Sequence, residues 1–285
     1  MDRLHRSART LVLLALSLAW LGCQSLGMGS SGETASASAA PASGGLSEIL
    51  DRGSLRVGIS GDLAPLNMKS KEGAIIGLEV DIVTALAHAM GLEVELVETP
   101  FPQLLDTLLA GDVDLVISAM TMTPQRNARV AFVGPYFISG TSVLTKSDEI
   151  AFAQEPQELN VEGRRFAALE GSTSAQFVEE VLPDTELVAT QDYDAAVQMV
   201  IDGSVDGLVA DFQKCMVSTW RHPEEDLQAI RTPFTVEPLG IALPPDQPLL
   251  MNLVTNYLHT LEDTGLLTQL KAKWLSDGAW LSELP

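Results

Sequence analysis

The sequence predicts an α/β protein built from two consecutive halves, each a mixed sheet flanked by helices. Three observations carry this reading. Short apolar runs alternate with segments of helical period, the alternation restarts near residue 165, and one more apolar run, 236–243, returns after the second half. In order, Leu55–Ile59 reads as a strand, and residues 78–90 as a helix with Val80, Val83, Leu86, Ala87 and Met90 on its core face. Leu92–Val97 alternates apolar residues with Glu93 and Glu95, as a half-buried strand does. Pro102–Ala110 is a helix stopped by Gly111, and Val113–Ser118 a buried strand. This βαβαβ order implies parallel strands with crossover helices.

The second half repeats the plan. Arg165–Leu169, Glu186–Ala189 and Val205–Ala210 are strands, and Thr173–Leu182, Tyr193–Ile201 and Asp211–Trp220 are helices. Thr141–Lys146 and 236–243 make two chain crossings between the halves, which is the geometry of a hinged clamp. Helices 248–263 and 266–276, parted by Gly265, complete the chain. The implied division is 46–140 with 236–285 as one lobe and 141–235 as the other.

Charge narrows the function. The 285 residues carry 17 Lys and Arg against 38 Asp and Glu, a net charge of −21. A nucleic-acid binder or a protein docking on anionic lipid needs the opposite sign. With 46% hydrophobic residues the chain has enough apolar material for a core. Two cysteines exclude a disulfide scaffold, and four scattered histidines argue against a zinc site, so neither a metal nor a cofactor is expected. Cys215 reads as a buried free thiol acting as a small apolar residue.

The first 22 residues read as an export signal. Arg3, Arg6 and Arg9 precede an apolar run, Leu11–Leu21, of 11 residues, too short to span a bilayer as a helix. Gly22-Cys23 resembles the end of a bacterial lipoprotein signal, which makes Cys23 the acylation site; an ordinary secretory signal with an incidental Cys23 is the alternative. Without residues 1–22 the chain keeps 14 positive and 37 negative groups, a charge of −23. Residues 23–45 are rich in Gly, Ser and Ala and read as a flexible linker from a lipid anchor. The expected location is the periplasm or cell surface, on a bacterial membrane through that anchor alone.

A set of ordered motifs then points further. Leu55–Gly58, Pro65, Gly77-Leu-Glu-Val-Asp81, Gly111-Asp-Val-Asp114, Ser118-Ala-Met-Thr-Met-Thr-Pro-Gln-Arg126, Phe132-Val-Gly-Pro-Tyr136, Gly171-Ser-Thr173 and Asp211 follow one another in the chain. Together they resemble the family 3 extracytoplasmic solute-binding proteins of polar amino-acid ABC importers, over about residues 47–276. The resemblance implies a type II periplasmic-binding-protein clamp, a monomer that closes on a free α-amino acid and delivers it to ABC permease subunits without being an enzyme.

A zwitterionic ligand sets the chemistry the residues must supply. Arg126 is the candidate for its carboxylate, because a guanidinium grips two oxygens at once. Thr121 and, across the cleft, Ser172 and Thr173 at a helix N-terminus are candidate donors. Asp211, at the carboxyl end of a strand, is the candidate for the ammonium, and the family places an Asp there; Ser118 and the Ala119 carbonyl are further acceptors. Thr121, Thr123 and Ser172 are also helix-capping types, and Asp81, Gly77, Asp114 and Pro135 read as structural. Leu63 and Leu66 stand where many family members carry aromatic residues, Phe101 is a candidate pocket residue, and Ser60 is small and neutral. With no evident extra acid, a neutral polar or small amino acid is expected; Lys214 and Arg165 are the candidate cations for an acidic one. The alternatives are an enzyme on this fold, such as a prephenate/arogenate-type (cyclohexadienyl) dehydratase with Glu170 as acid, and a ligand-sensing module for a separate signalling protein.

Overall fold

The computed structural model describes residues 45–276 and 278–284, and the export signal, Cys23 and the linker to residue 44 lie outside the described residues. The first lobe opens with α1 (Leu46–Arg52), β1 (Ser54–Ile59), β2 (Asp62–Leu63), β3 (Asn67–Lys69), β4 (Ile75–Ile76) and α2 (Leu78–Met90). It continues with β5 (Glu93–Glu98), α3 (Leu104–Ala110), β6 (Leu115–Val116), α4 (Pro124–Asn127) and β7 (Ala131–Ser139). The second lobe holds β8 (Thr141–Thr145), α5 (Asp148–Ala151), β9 (Arg165–Leu169), α6 (Thr173–Val181), β10 (Glu186–Thr190) and α7 (Tyr193–Ile201). It ends with β11 (Gly207–Asp211), α8 (Phe212–Arg221) and β12 (Gln228–Ala229). The chain then returns to the first lobe as β13 (Glu237–Leu243), α9 (Pro248–Asp263) and α10 (Leu266–Leu275).

Each lobe has a five-stranded mixed sheet. The first runs β5-β1-β6-β13-β7, with β1 parallel to β5 and β6, and β13 antiparallel to its neighbours. The second runs β10-β9-β11-β8-β12, with β9 parallel to β10 and β11, and β8 antiparallel to β11 and β12. Within each sheet the parallel strands, β1 with β6 and β9 with β11, therefore end at the same edge, where such sheets place ligands. One continuous cluster of buried side chains contains residues of both sheets, among them Leu55, Val57 and Leu115 of the first and Ala167, Leu208 and Ala210 of the second.

The helical periodicity of residues 78–90 holds, but the buried face is Leu78, Glu79, Ile82, Val83, Leu86 and Ala87. Val80 and Met90 are only partly covered, so the stripe is rotated by about one residue from the expected one. The expected strand 113–118 shrinks to Leu115–Val116. Its start is drawn off by Asp114, which pairs with Arg52 and Arg56, and its end by a left-handed turn at Ala119. A small sheet, β2-β3-β4, and the long strand β7 went unread: two- and three-residue strands leave no periodicity to detect, and Gly134-Pro135 in β7 is a sequence that argues against a strand.

Asp81 and Gly77 hold packing contacts, as Asp114 does with Arg52 and Arg56. Asp81 takes hydrogen bonds from Lys273 Nζ and Trp274 Nε1, both at 2.7 Å, and docks α10 on α2. At Gly77 a Cβ would stand 2.2 Å from the Leu66 carbonyl oxygen, so a side chain has no place there. The first crossing is not the strand 141–146, which lies wholly in the second sheet; it is the single residue Gly140 between β7 and β8. A Cβ on Gly140 would lie 2.3 Å from the Thr235 carbonyl oxygen, so the two crossings pack backbone against backbone.

Candidate ligand-binding cleft

The cleft is built from turns that follow the parallel strands. After β1 comes Ser60-Gly61-Asp62, after β6 Ser118 to Thr121, after β9 Gly171 to Thr173, and β11 ends in Asp211 itself. Ala119, at φ 48°, is one of two non-glycine residues with positive φ among the described residues. That conformation costs on the order of 1–3 kcal/mol, and the surroundings must hold it. Glu79 does so by accepting the Ala119 N–H at 2.7 Å. The same buried carboxylate accepts from Tyr136 Oη and from Asn67 Nδ2 at 2.6 Å. Asn67 in turn accepts the Gly61 N–H at 2.7 Å, so one network positions two of the four turns. Burial pushes the Glu79 carboxyl above its usual range.

Arg126 stands on α4, which starts with Thr123 as a capping residue accepting the Arg126 N–H. Its Nη1 donates to the Thr121 carbonyl at 2.8 Å and its Nη2 crosses to the Gly171 carbonyl of the other lobe at 3.0 Å. Two of five guanidinium N–H groups are thus spent, and three remain. Burial lowers the Arg126 pKa, while the charges of Glu237 and Asp211 oppose the fall, so all three groups share one electrostatic environment. Phe101 packs against Arg126, its ring centroid 5.6 Å from the guanidinium carbon.

Asp211 precedes α8 without capping it, and its Oδ1 accepts the Ser139 hydroxyl at 2.8 Å. Burial and the nearby charge of Glu237 push its carboxyl up to about 7. A carboxyl in this state has lost water without gaining a cation.

The other expected residues divide. Ser172 caps α6, accepting the Ala175 N–H at 3.1 Å and donating to the Leu169 carbonyl at 2.6 Å, so its hydroxyl is committed. Ser118 accepts the Ser60 N–H at 3.0 Å and donates to Ser60 Oγ at 2.8 Å, and so holds the first turn in place. Leu63 is 3% exposed and belongs to the core, while its neighbours Asp62 and Ala64 line the cleft. Thr121 and Thr173 do face each other across the cleft, with hydroxyl oxygens 3.4 Å apart. Both donate to Glu237 Oε2, at 2.7 and 2.6 Å, so their protons are already given away and lone pairs remain for a ligand.

Glu237, Glu79 and Asp62 are the residues that sequence reasoning missed. Glu79 left a signal, since it lies three, four and seven residues before Ile82, Val83 and Leu86 on the buried stripe. Asp62 lines a cavity of about 350 Å³ with Ser60, Glu98, Asp192, Asp194 and Arg221. Its carboxyl is pushed up by burial and by Asp192 and Asp194, against the Ser60 hydroxyl at 2.5 Å and the charge of Lys214. Lys214, only 3% exposed, reaches from α8 to the Asp62 carbonyl at 3.2 Å and to Asp194 at 3.0 Å. Arg165 lies at the opposite end of β9, paired with Glu186 at 3.5 Å. Cys215 is buried, and burial pushes its thiol up to about 12. Glu170 is exposed, beside Gln191.

Known proteins share this architecture. A cyclohexadienyl dehydratase of Pseudomonas aeruginosa is 27% identical over 230 residues, 81% of this chain and 85% of that protein. The ABC transporter arginine-binding protein 1 of Escherichia coli K12 is 26% identical, over 77% of this chain and 90% of its own. The crystal structure of an ancestral amino acid-binding protein, described as a precursor of cyclohexadienyl dehydratase, superposes with a TM-score of 0.74 at 33% identity, covering 81% of this chain and 99% of that one. The profile of the bacterial extracellular solute-binding proteins, family 3, matches residues 55–277, the span that contains both sheets and all four cleft turns. The chain belongs to the family 3 bacterial extracellular solute-binding proteins.

Proposed function

We propose that the protein is an extracytoplasmic receptor that closes its two lobes on an α-amino acid and delivers it to an ABC-type permease. The observation that carries this reading is the placement of Arg126 and Asp211. They come from opposite lobes, lie within each other's electrostatic reach and are both withdrawn from bulk water. A carboxylate on the free N–H groups of Arg126 and an ammonium on Asp211 would satisfy both at once. The ligand side chain would enter the cavity of about 350 Å³ beyond Ser60 and Asp62, a volume suited to a small molecule. A lipid anchor on Cys23 and a monomeric state belong to the same proposal.

The decisive experiment is thermal unfolding in the presence of each of the twenty amino acids and of prephenate. A ligand at about 100 times its Kd stabilises by about 2.7 kcal/mol. A shift with at least one amino acid is the expected result. No shift with any amino acid would overturn the reading, and turnover of prephenate would establish the enzyme instead. The dehydratase has one specific observation in its favour, since Asp211 near 7 can hold a proton at neutral pH.

Side-chain selectivity rests on Lys214. Its ammonium lies 5.2 Å from the Tyr193 ring centroid and compensates Asp194 and Asp62. Lys214→Met should leave those carboxylates short of a cation and raise the affinity for L-arginine relative to L-glutamine by roughly tenfold, about 1.4 kcal/mol. Calorimetric titration with both amino acids checks it.

A further inference from the structure

Glu237 begins β13, at the second crossing, and its carboxylate has four acceptor sites. All four are met by threonine hydroxyls, the Thr235 proton being shared with Thr141 Oγ1 at 3.1 Å. Oε2 accepts from Thr121 at 2.7 Å and from Thr173 at 2.6 Å. Oε1 accepts from Thr141 at 2.6 Å and from Thr235 at 3.0 Å. The donors come from the whole moving apparatus. Thr121 follows β6 in the first lobe, Thr173 starts α6 in the second, Thr141 follows the Gly140 crossing, and Thr235 lies on the returning crossing. Thr141 is also tied to Thr235 through its own N–H, at 2.8 Å.

Burial raises the pKa of Glu237, but the four hydroxyls outweigh burial and hold the carboxyl below its usual range, so it stays charged at neutral pH. It is 7% exposed, and no Lys or Arg pairs with it within salt-bridge distance among the described residues. A buried anion without a paired cation depends on its hydroxyl donors. If the clamp opens about Gly140 and Thr235, Thr141 and Thr235 stand beside that hinge, and the bond from Thr173, which starts α6 of the second lobe, is the one that opening would break.

We propose that Glu237 is a positioning residue that latches the clamp, a fixed anion at the hinge that draws Thr173 of the second lobe onto Thr121 of the first and so favours closure before any ligand contributes. The inference goes beyond the amino-acid reading and stands whatever the ligand is.

Small-angle X-ray scattering on the purified protein without added ligand tests it, with Glu237→Ala, Glu237→Gln and Thr173→Val alongside. Loss of the latch should raise the radius of gyration by about 1 Å over a value near 18 Å for a compact chain of this size. Glu237→Ala and Thr173→Val should both show the increase. Glu237→Gln, which still accepts two of the hydroxyls, should fall between them and the wild type. Wild-type scattering from Glu237→Ala, or from Thr173→Val should the alanine variant not fold, would overturn the proposal. A purely structural role would lower the melting temperature of these variants without changing their radius of gyration, and that result also sinks it. Because no ligand is present, the outcome is independent of the thermal-shift screen above.

Discussion

Arg126→Ala should remove measurable amino-acid binding while leaving the fold intact. Truncating one partner of a buried, hydrogen-bonded charge pair costs roughly 2–5 kcal/mol, which is about 30- to 5,000-fold in Kd. The loss has three parts here. The ligand carboxylate loses its bidentate donor, the Gly171 carbonyl loses its bond from the other lobe, and Phe101 loses the cation above its ring. Arg126→Lys should recover only a fraction, because an ammonium cannot reach the Thr121 and Gly171 carbonyls and a carboxylate with a planar fork. Titration calorimetry with the amino acid found by thermal shift measures the loss, and circular dichroism reports the fold. Affinity within threefold of wild type would rule out Arg126 as the carboxylate ligand.

Asp211→Asn should be more stable and yet bind worse. The Asp211 carboxyl rises from its usual 3.8 to about 7 in the folded protein. An acid whose folded pKa is raised favours the fold while it is protonated in both states. Stability is therefore lost as pH rises from about 4 through 7. Three units correspond to about 4 kcal/mol as an upper bound, and relaxation around the site leaves about 1–2 kcal/mol to be regained by the neutral amide. The melting temperature of Asp211→Asn should exceed that of the wild type at pH 8, with the difference vanishing near pH 4. A melting temperature unchanged at pH 8 would contradict the assigned burial.

Binding has the opposite dependence. A ligand ammonium needs the ionised carboxylate, so below pH 7 one proton must leave Asp211 for each ligand bound, and affinity should fall by up to tenfold per pH unit. Burial sets this titration first, the charges of Glu237 and Glu79 add to it, and the Ser139 hydroxyl and a backbone hydrogen bond lower it. Asp211→Asn should flatten the profile and cost roughly 2–4 kcal/mol of affinity at pH 8. Such a trade of stability for function is common at ligand sites.

The legible part of the fold was its order. Tyr193–Ile201 and Pro248–Asp263 fold as the helices expected, and Arg165–Leu169 as the strand expected, because each is long and regular enough to show its period. Arg126 and Asp211 were singled out through the ordered motifs that carry the family resemblance, and the fold puts the first on α4 and the second at the end of β11. Ser172 and Leu63 show what sequence position leaves open: it places a residue near the cleft but does not say which way its side chain turns. Ser172 turns into its own helix as a cap, and Leu63 turns into the core while Asp62 faces out.

What the sequence by itself determined is the order of elements in two α/β halves, which follows from periodicity, and, through the ordered motifs that carry the family resemblance, the candidate pair Arg126 and Asp211. The tertiary structure alone decided which buried charges the cleft contains and how each is satisfied. Glu79 meets Ala119 across 40 residues, Glu237 meets Thr121 across 116, and Lys214 meets Asp62 across 152. Local pattern reports the neighbours at i+2 to i+4, whereas the cost of a buried charge is set by partners that only the folded chain brings within hydrogen-bond distance.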